Sequence, residues 1–161
     1  MRVVFNTSPI VFLTKLEYLE PFLTIKAVFY IPQAVLSETT AKQDAASRRI
    51  QTLVSEGMFQ IEACRLLTLV TSLNRRLGIG ESEPIALAVE LNADYIILDD
   101  ATARREAARL GLTVRGTLAV VQKLIAEDYV DKVTPEELYQ RLQAINLRIK
   151  RSIFNQIFAS S

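Results

Sequence analysis

Short apolar runs alternate along the chain with segments in which apolar residues recur every three or four positions. The first pattern is typical of buried strands and the second of helices that pack on one face. The apolar runs predict strands at residues 3–5, 27–31, 59–63, 95–98 and 112–117. The periodic segments predict helices at residues 9–19, from 32 onward, and at 45–56, 67–77, 82–91, 101–110 and 118–125. This alternation predicts an α/β fold with a central parallel sheet covered by helices on both faces.

The length of the chain, 161 residues of which 50% are apolar, suits one compact core. We therefore expect a single domain over residues 1–161. Thr134 and Glu137 have the spacing of a capping box, which predicts that residues 134–161 form a C-terminal helical tail. No apolar run reaches the ~20 residues of a membrane span, and the N-terminus lacks a signal-peptide layout. We expect no membrane contact and a cytoplasmic protein.

Histidine is absent from the whole sequence. Its absence excludes Ser/His/Asp and Cys/His triads, histidine-bound zinc and acid–base catalysis by paired imidazoles. Any hydrolysis must then depend on carboxylates, on lysine, or on a metal held by oxygen ligands. The net charge of +1 provides no overall attraction to nucleic acid, so only local basic patches can supply it.

Oxygen-bearing side chains follow the predicted strands or open the helices after them. In open α/β sheets, ligands bind beyond the carboxyl ends of the strands, where the strand order reverses. The side chains at these places come from four segments of the chain: Asn6, Thr7 and Ser8; Glu38; Glu81 and Glu83; and Asp99 and Asp100.

Each of these residues also has a purely structural interpretation. Asn6, Thr7 and Ser8 fit an ordinary helix N-terminus. The acidic residues fit a solvated helix face, the helix dipole or, for Asp99, a helix cap. These interpretations leave unexplained why acids gather at one edge of the predicted sheet. Neighbouring carboxylates repel one another unless a cation or a shared proton neutralises them, which favours a divalent metal.

The same segments resemble a known family. The stretches VVFNTSPIVFLTKL, YIPQAVLSE, GIGESEPIALAVELNADYIILDD and AARLGLTVRGTLAVV resemble, in this order, a PIN-domain protein. The branch is that of predicted nucleic-acid-binding proteins of unknown function, akin to VapC-type toxins. The most specific pieces are the G-E-x-E helix start and the apolar strand that ends in D-D. The resemblance implies a three-layer α/β/α sandwich and a metal-dependent ribonuclease.

The resemblance also implies a set of site residues. PIN domains gather three or four acids around one or two Mg²⁺ or Mn²⁺ ions. Carried over by position, the catalytic and metal-binding residues are Asn6, Glu38, Glu81 and Asp99, with Asp100 as a further ligand and Thr7, Ser8 and Glu83 as accessory residues. The family pattern usually has aspartate where Asn6 stands. Either activity persists with weaker metal binding, or the protein is a non-catalytic module that binds RNA or protein.

Local arginines are the expected RNA contacts, namely Arg104, Arg105 and Arg115, although arginines on a solvated helix face are equally common. The resemblance to VapC-type proteins further implies a toxin of a toxin–antitoxin pair, with RNA as substrate. It also implies a small antitoxin protein as partner and a homodimer. A receiver or phosphatase of the same fold class would need an acid pair after the first strand. The chain has Asn-Thr-Ser there, so this alternative is disfavoured.

Overall fold

A five-stranded parallel sheet forms the centre of the protein. The computed structural model describes residues 1–158. The strands are β1 (Arg2–Phe5), β2 (Val28–Pro32), β3 (Gln60–Glu62), β4 (Tyr95–Ile97) and β5 (Val114–Arg115). They lie in the order β3-β2-β1-β4-β5, and each neighbouring pair is parallel. The predicted α/β fold class is therefore confirmed.

Helices connect the strands and cover the sheet. They are α1 (Thr7–Lys15), α2 (Leu19–Leu23), α3 (Gln33–Thr40), α4 (Ala45–Ser55), α5 (Leu67–Asn74), α6 (Ile79–Glu90), α7 (Ala101–Arg109), α8 (Thr117–Ala126), α9 (Pro135–Ala144) and α10 (Arg151–Phe158). Within residues 1–158, none of them is both long and apolar enough to cross a membrane.

The central strand β1 is apolar on both faces because it lies between two hydrophobic cores. Val3 and Phe5 are buried in a core that α1, α2, α4, α8, α9 and α10 complete. Val4, which points to the opposite face, is buried in a second core with α5, α6 and α7. The architecture is thus a three-layer α/β/α sandwich.

Two helix boundaries differ from the sequence-based prediction. The segment predicted as one helix over residues 9–19 is α1 followed by the short α2. Glu17 has a φ of 63°, which an α-helix does not accommodate, so the chain turns there. Helix α6 begins at Ile79, earlier than the predicted residue 82, because Gly78 is its extended N-cap residue. Glu81 therefore lies in the first turn of α6, not in a loop.

The C-terminal helices belong to the core. Phe154 of α10 is fully buried. Its ring centroid lies 5.1 Å from that of Tyr139 in α9 and 4.8 Å from that of Phe158. The predicted tail, residues 134–161, thus contributes aromatic side chains to the larger core. Its last three residues, 159–161, lie outside the described part of the chain.

Replacing Phe154 tests how much α10 stabilises the domain. We expect F154A to lower the free energy of unfolding by about 3–5 kcal/mol, since it removes a buried aromatic side chain and leaves a cavity. Denaturant unfolding would measure the loss. The matched control is I153A on the same helix, where the side chain is 46% exposed and the expected loss is below about 1 kcal/mol. Equal losses in both variants would contradict the role of Phe154.

Candidate active site at the carboxyl edge of the sheet

The strand order reverses between β1 and β4. The chain runs from β1 outward to β2 and β3 on one side, and from β4 to β5 on the other. Such a reversal opens a crevice at the carboxyl ends of the two strands. Asn6 follows β1 and Asp99 follows β4 at this edge. The backbone N–H of Asn6 donates to the carbonyl of Ile97 at 3.0 Å, which holds the two strand ends side by side.

Asn6 occupies the N-cap position of α1, yet its side chain does not cap the helix. The residue is 5% exposed and has an extended backbone, with no hydrogen bond from its side chain to the helix N-terminus. Its Oδ1 is buried and has no hydrogen-bond partner within residues 1–158. An unpaired buried amide oxygen costs about 1–3 kcal/mol. Helix capping therefore does not explain this residue.

Glu38 is held between α1 and α6. The Thr7 hydroxyl donates to Glu38 Oε2 at 2.9 Å. On the other side, a Cβ atom added to Gly80 would lie only 1.9 Å from Glu38 Oε1. The absence of a side chain at position 80 thus lets α6 approach the carboxylate. Ser8, the next residue of α1, is exposed beside them.

Glu81 lies in an environment that disfavours its negative charge. Burial raises the pKa of its carboxyl, and the nearby charges of Asp100 and Glu38 raise it further, while the backbone N–H of Gly78 acts in the opposite direction. Three acidic side chains predicted for the site therefore share one electrostatic environment. Like charges that oppose one another in this way favour a proton or a cation that neutralises one of them.

Glu83 lies two residues after Glu81 in α6. It contributes, after burial and after Glu90, to the raised pKa of the Cys64 thiol. The first turns of α6 thus expose Glu81 and Glu83 to different neighbours.

Asp99 is held by two hydrogen bonds from one residue. The backbone N–H of Thr117 donates to Oδ1 and the Thr117 hydroxyl donates to Oδ2, both at 2.7 Å. Thr117 is the first residue of α8 and is 1% exposed. Sequence reasoning missed this residue. Its place at the carboxyl edge was predictable, because Thr117 is the last residue of the predicted strand 112–117, but its contact with Asp99 was not.

Asp100 has a different partner. Its Oδ2 accepts from the backbone N–H of Ala103 at 2.9 Å, so it is the N-cap of α7. From the sequence alone, Asp99 also suits this capping role. In the structure Asp100 fills it, and Asp99 is bound by Thr117 instead.

The three predicted RNA-contacting arginines lie in different places. Arg104 is half-buried at the acidic edge, where its Nη1 donates to the Leu98 carbonyl at 3.0 Å. Arg105 is exposed on α7. Arg115 stacks on the Tyr95 ring, 5.3 Å from its centroid, and lines a separate cavity against α8. Of the three, Arg104 lies nearest to Asp99, since a Cβ on Gly116 would meet both side chains.

The oxygen donors at this edge suit a hard divalent cation. Carboxylate and amide oxygens are the usual ligands of Mg²⁺ and Mn²⁺. Within the described residues, no three acidic or cysteine side chains lie close enough to form an ion site as they stand. The carboxylates of Glu38, Asp99 and Asp100 instead accept protein hydrogen bonds. The unpaired Oδ1 of Asn6 and the crowded charge of Glu81 are the two features that such a cation would satisfy.

The chain matches a known family over almost its whole length. The model of the family DUF3368, described as a PIN domain, matches residues 2–161. The chain belongs to this PIN-domain family. The predicted resemblance is thus confirmed. PIN domains are generally nuclease folds and typically use divalent metals.

More distant comparisons add little to this assignment. The fold resembles a solved PilT N-terminus domain protein of the hyperthermophilic archaeon Sulfolobus solfataricus P2, with a TM-score of 0.49 and 17% sequence identity. The similarity covers 83% of this chain and 98% of that one. No curated protein matches the chain.

Neutralising Glu81 tests the electrostatic crowding. A carboxyl whose pKa is raised by folding makes the folded state less stable as the pH rises through that pKa. We therefore expect E81Q to melt at a higher temperature than the wild type at pH 7 in EDTA. The difference should vanish below the ordinary glutamate pKa of about 4.3. Thermal melts across this pH range would measure it, with E62Q on the exposed strand β3 as the control. A lower melting temperature for E81Q at pH 7 would contradict the crowding.

Proposed function

We propose that this PIN-domain protein is an endoribonuclease that depends on Mg²⁺ or Mn²⁺. The observation that carries the proposal is the buried Oδ1 of Asn6, which has no hydrogen-bond partner among residues 1–158 and lies at the edge where the acids lie. A native structure rarely leaves such an atom unpaired without a ligand or water. A cation bound by Asn6, Glu38, Glu81 and Asp99 would satisfy it. The cation would also relieve the repulsion among Glu81, Glu38 and Asp100.

The chain's own residues prepare the site for such a cation. Thr117 fixes both oxygens of Asp99, and Thr7 fixes one oxygen of Glu38. Hydrogen bonds of this kind orient metal-binding carboxylates in other proteins. When bound, the ion would activate water and offset the charge of the phosphate oxygens. The guanidinium of Arg104, anchored on Leu98, has further N–H donors that suit a phosphate oxygen.

A biological role as the toxin of a toxin–antitoxin pair is part of the same proposal. In that role the protein would act on RNA in the cytoplasm, form a homodimer and be inhibited by a small antitoxin protein. Induced expression should then arrest growth in wild-type form but not as D99N. The support for this role is family membership.

The nuclease proposal predicts metal-dependent cleavage of single-stranded RNA. EDTA, E81Q and D99N should each reduce the rate at least ~100-fold, since each removes the cation or one of its ligands. N6D should bind Mn²⁺ more tightly than the wild type, because it adds a charge to a neutral ligand. Calorimetric Mn²⁺ titration and a gel-based cleavage assay measure the two effects, with E62Q as the control. Tight RNA binding without cleavage at any metal concentration would instead support the non-catalytic alternative.

The close approach of Gly80 to Glu38 gives a sharper test. G80A places a methyl group where the Glu38 carboxylate lies, and the flexible side chain must move away. Alanine favours a helix over glycine by about 1 kcal/mol, so the fold should remain stable. We expect thermal stability in EDTA that is no lower than that of the wild type, together with loss of Mn²⁺-induced stabilisation and of cleavage. The matched control is G78A, because a Cβ there meets nothing within 4 Å. Full activity in G80A would contradict a requirement for the Glu38 carboxylate in the position that it holds beside Gly80.

A further inference from the structure

A cavity of about 380 Å³ adjoins the acidic edge on the side of Thr7 and Glu38. It lies between α1, α3 and α4, with Ile145 and Asn146 beyond α9 forming part of its wall. Its volume is within the range of pockets that hold small ligands, about 300–1,000 Å³. Thr7 and Glu38 line it and also belong to the candidate active site, so the two are continuous.

We propose that this cavity binds one nucleotide of single-stranded RNA, adjacent to the bond that is cut, with Lys15 and Lys42 on the phosphates. The inference rests on the proposed nuclease function, because it assigns a substrate position next to that site. The cavity is a separate observation, because the acidic residues of the edge do not themselves require a cavity beside Thr7 and Glu38.

The residues that line the cavity include basic and apolar side chains, and nucleotide binding uses both. Lys15 ends α1 and Lys42 follows α3, and both residues are exposed and line the cavity. Phe12 and Ile145 are half-buried and form an apolar wall. Single-stranded nucleic acid is bound by basic side chains along its backbone and by apolar or aromatic surfaces against its bases.

The charge balance of the cavity favours an anion once the acidic site is occupied. Its carboxylates are those of Glu38 and Asp44. Asp44 is the N-cap of α4, and its Oδ1 accepts from the backbone N–H of Ser47 at 2.8 Å. A cation on Glu38 would neutralise the other carboxylate, which leaves the two lysines in excess over Asp44.

One wall of the cavity also contains the buried hydroxyl group of Ser47. Ser47 lines the cavity and is 1% exposed, and its hydroxyl has no hydrogen-bond partner within residues 1–158. A buried hydroxyl without a partner is uncommon in native proteins. We infer that this hydroxyl turns to donate to a sugar or phosphate oxygen of the bound nucleotide.

Salt-dependent binding of a fluorescent oligouridylate tests the inference. Measurements in Ca²⁺, which is also bound by carboxylate and amide oxygens, keep the acidic site occupied. A gel that shows the oligouridylate at full length afterwards separates binding from cleavage. For single strands, each phosphate contact contributes about 0.7 to the slope of log K against log salt concentration. We expect K15Q and K42Q each to reduce the slope by about 0.7, and the double variant by about 1.4. The control is K26Q, an exposed lysine between α2 and β2 that does not line the cavity.

The outcomes separate this inference from the nuclease proposal. Reduced slopes in K15Q and K42Q without any cleavage by the wild type would support the nucleotide site and count against the nuclease. Metal-dependent cleavage with unchanged slopes in both variants would overturn the nucleotide site and leave the nuclease standing. An equal reduction in K26Q would also overturn it, because the effect would then reflect overall charge. Thermal melts of all variants confirm that the fold is intact.

Discussion

The hydrogen bond from the Asn6 backbone N–H to the Ile97 carbonyl joins the two strands on which the candidate site depends. It extends the β1–β4 ladder by one residue, to the point where each strand ends. Asn6 and Asp99 are thereby placed on either side of the crevice. The chain brings the other acids there through α3 and α6, which pack against each other beside this edge. Without the alignment of β1 with β4, these side chains would not lie at the same edge of the sheet.

The site combines acids that disfavour one another with donors that hold them in place. Glu81 has a raised pKa because burial, Asp100 and Glu38 all oppose its charge. Thr7 and Thr117 hold neighbouring carboxylates through hydroxyl and backbone donors. In the absence of a ligand this arrangement costs stability, because the charge of Glu81 is disfavoured and the buried Oδ1 of Asn6 has no partner within residues 1–158. Such local costs are typical of binding and catalytic sites.

The fold was largely predictable because buried parallel strands are uniformly apolar and the helices between them are periodic. The start of α6 was not predictable in this way. The two glycines close to Glu81 indicated a loop, but Gly78 is the N-cap residue of α6 and Gly80 leaves room for the Glu38 carboxylate. The contact of Thr117 with Asp99 was also missed, because it joins residues 18 positions apart. Side-chain partners of this kind depend on tertiary packing, which periodicity does not encode. The ligand roles of the predicted site residues stay a prediction.

The central position of β1 affects how the chain is made. β1 leaves the ribosome well before its partner β4, and the contact between Arg2 and Asp94 spans 92 residues. Until then the apolar run Val3–Phe5 has an unpaired edge. Parallel strands joined over such distances fold slowly and expose apolar surface on the way. Synthesis of this protein should therefore be sensitive to translation speed and to chaperones that shield its first strand.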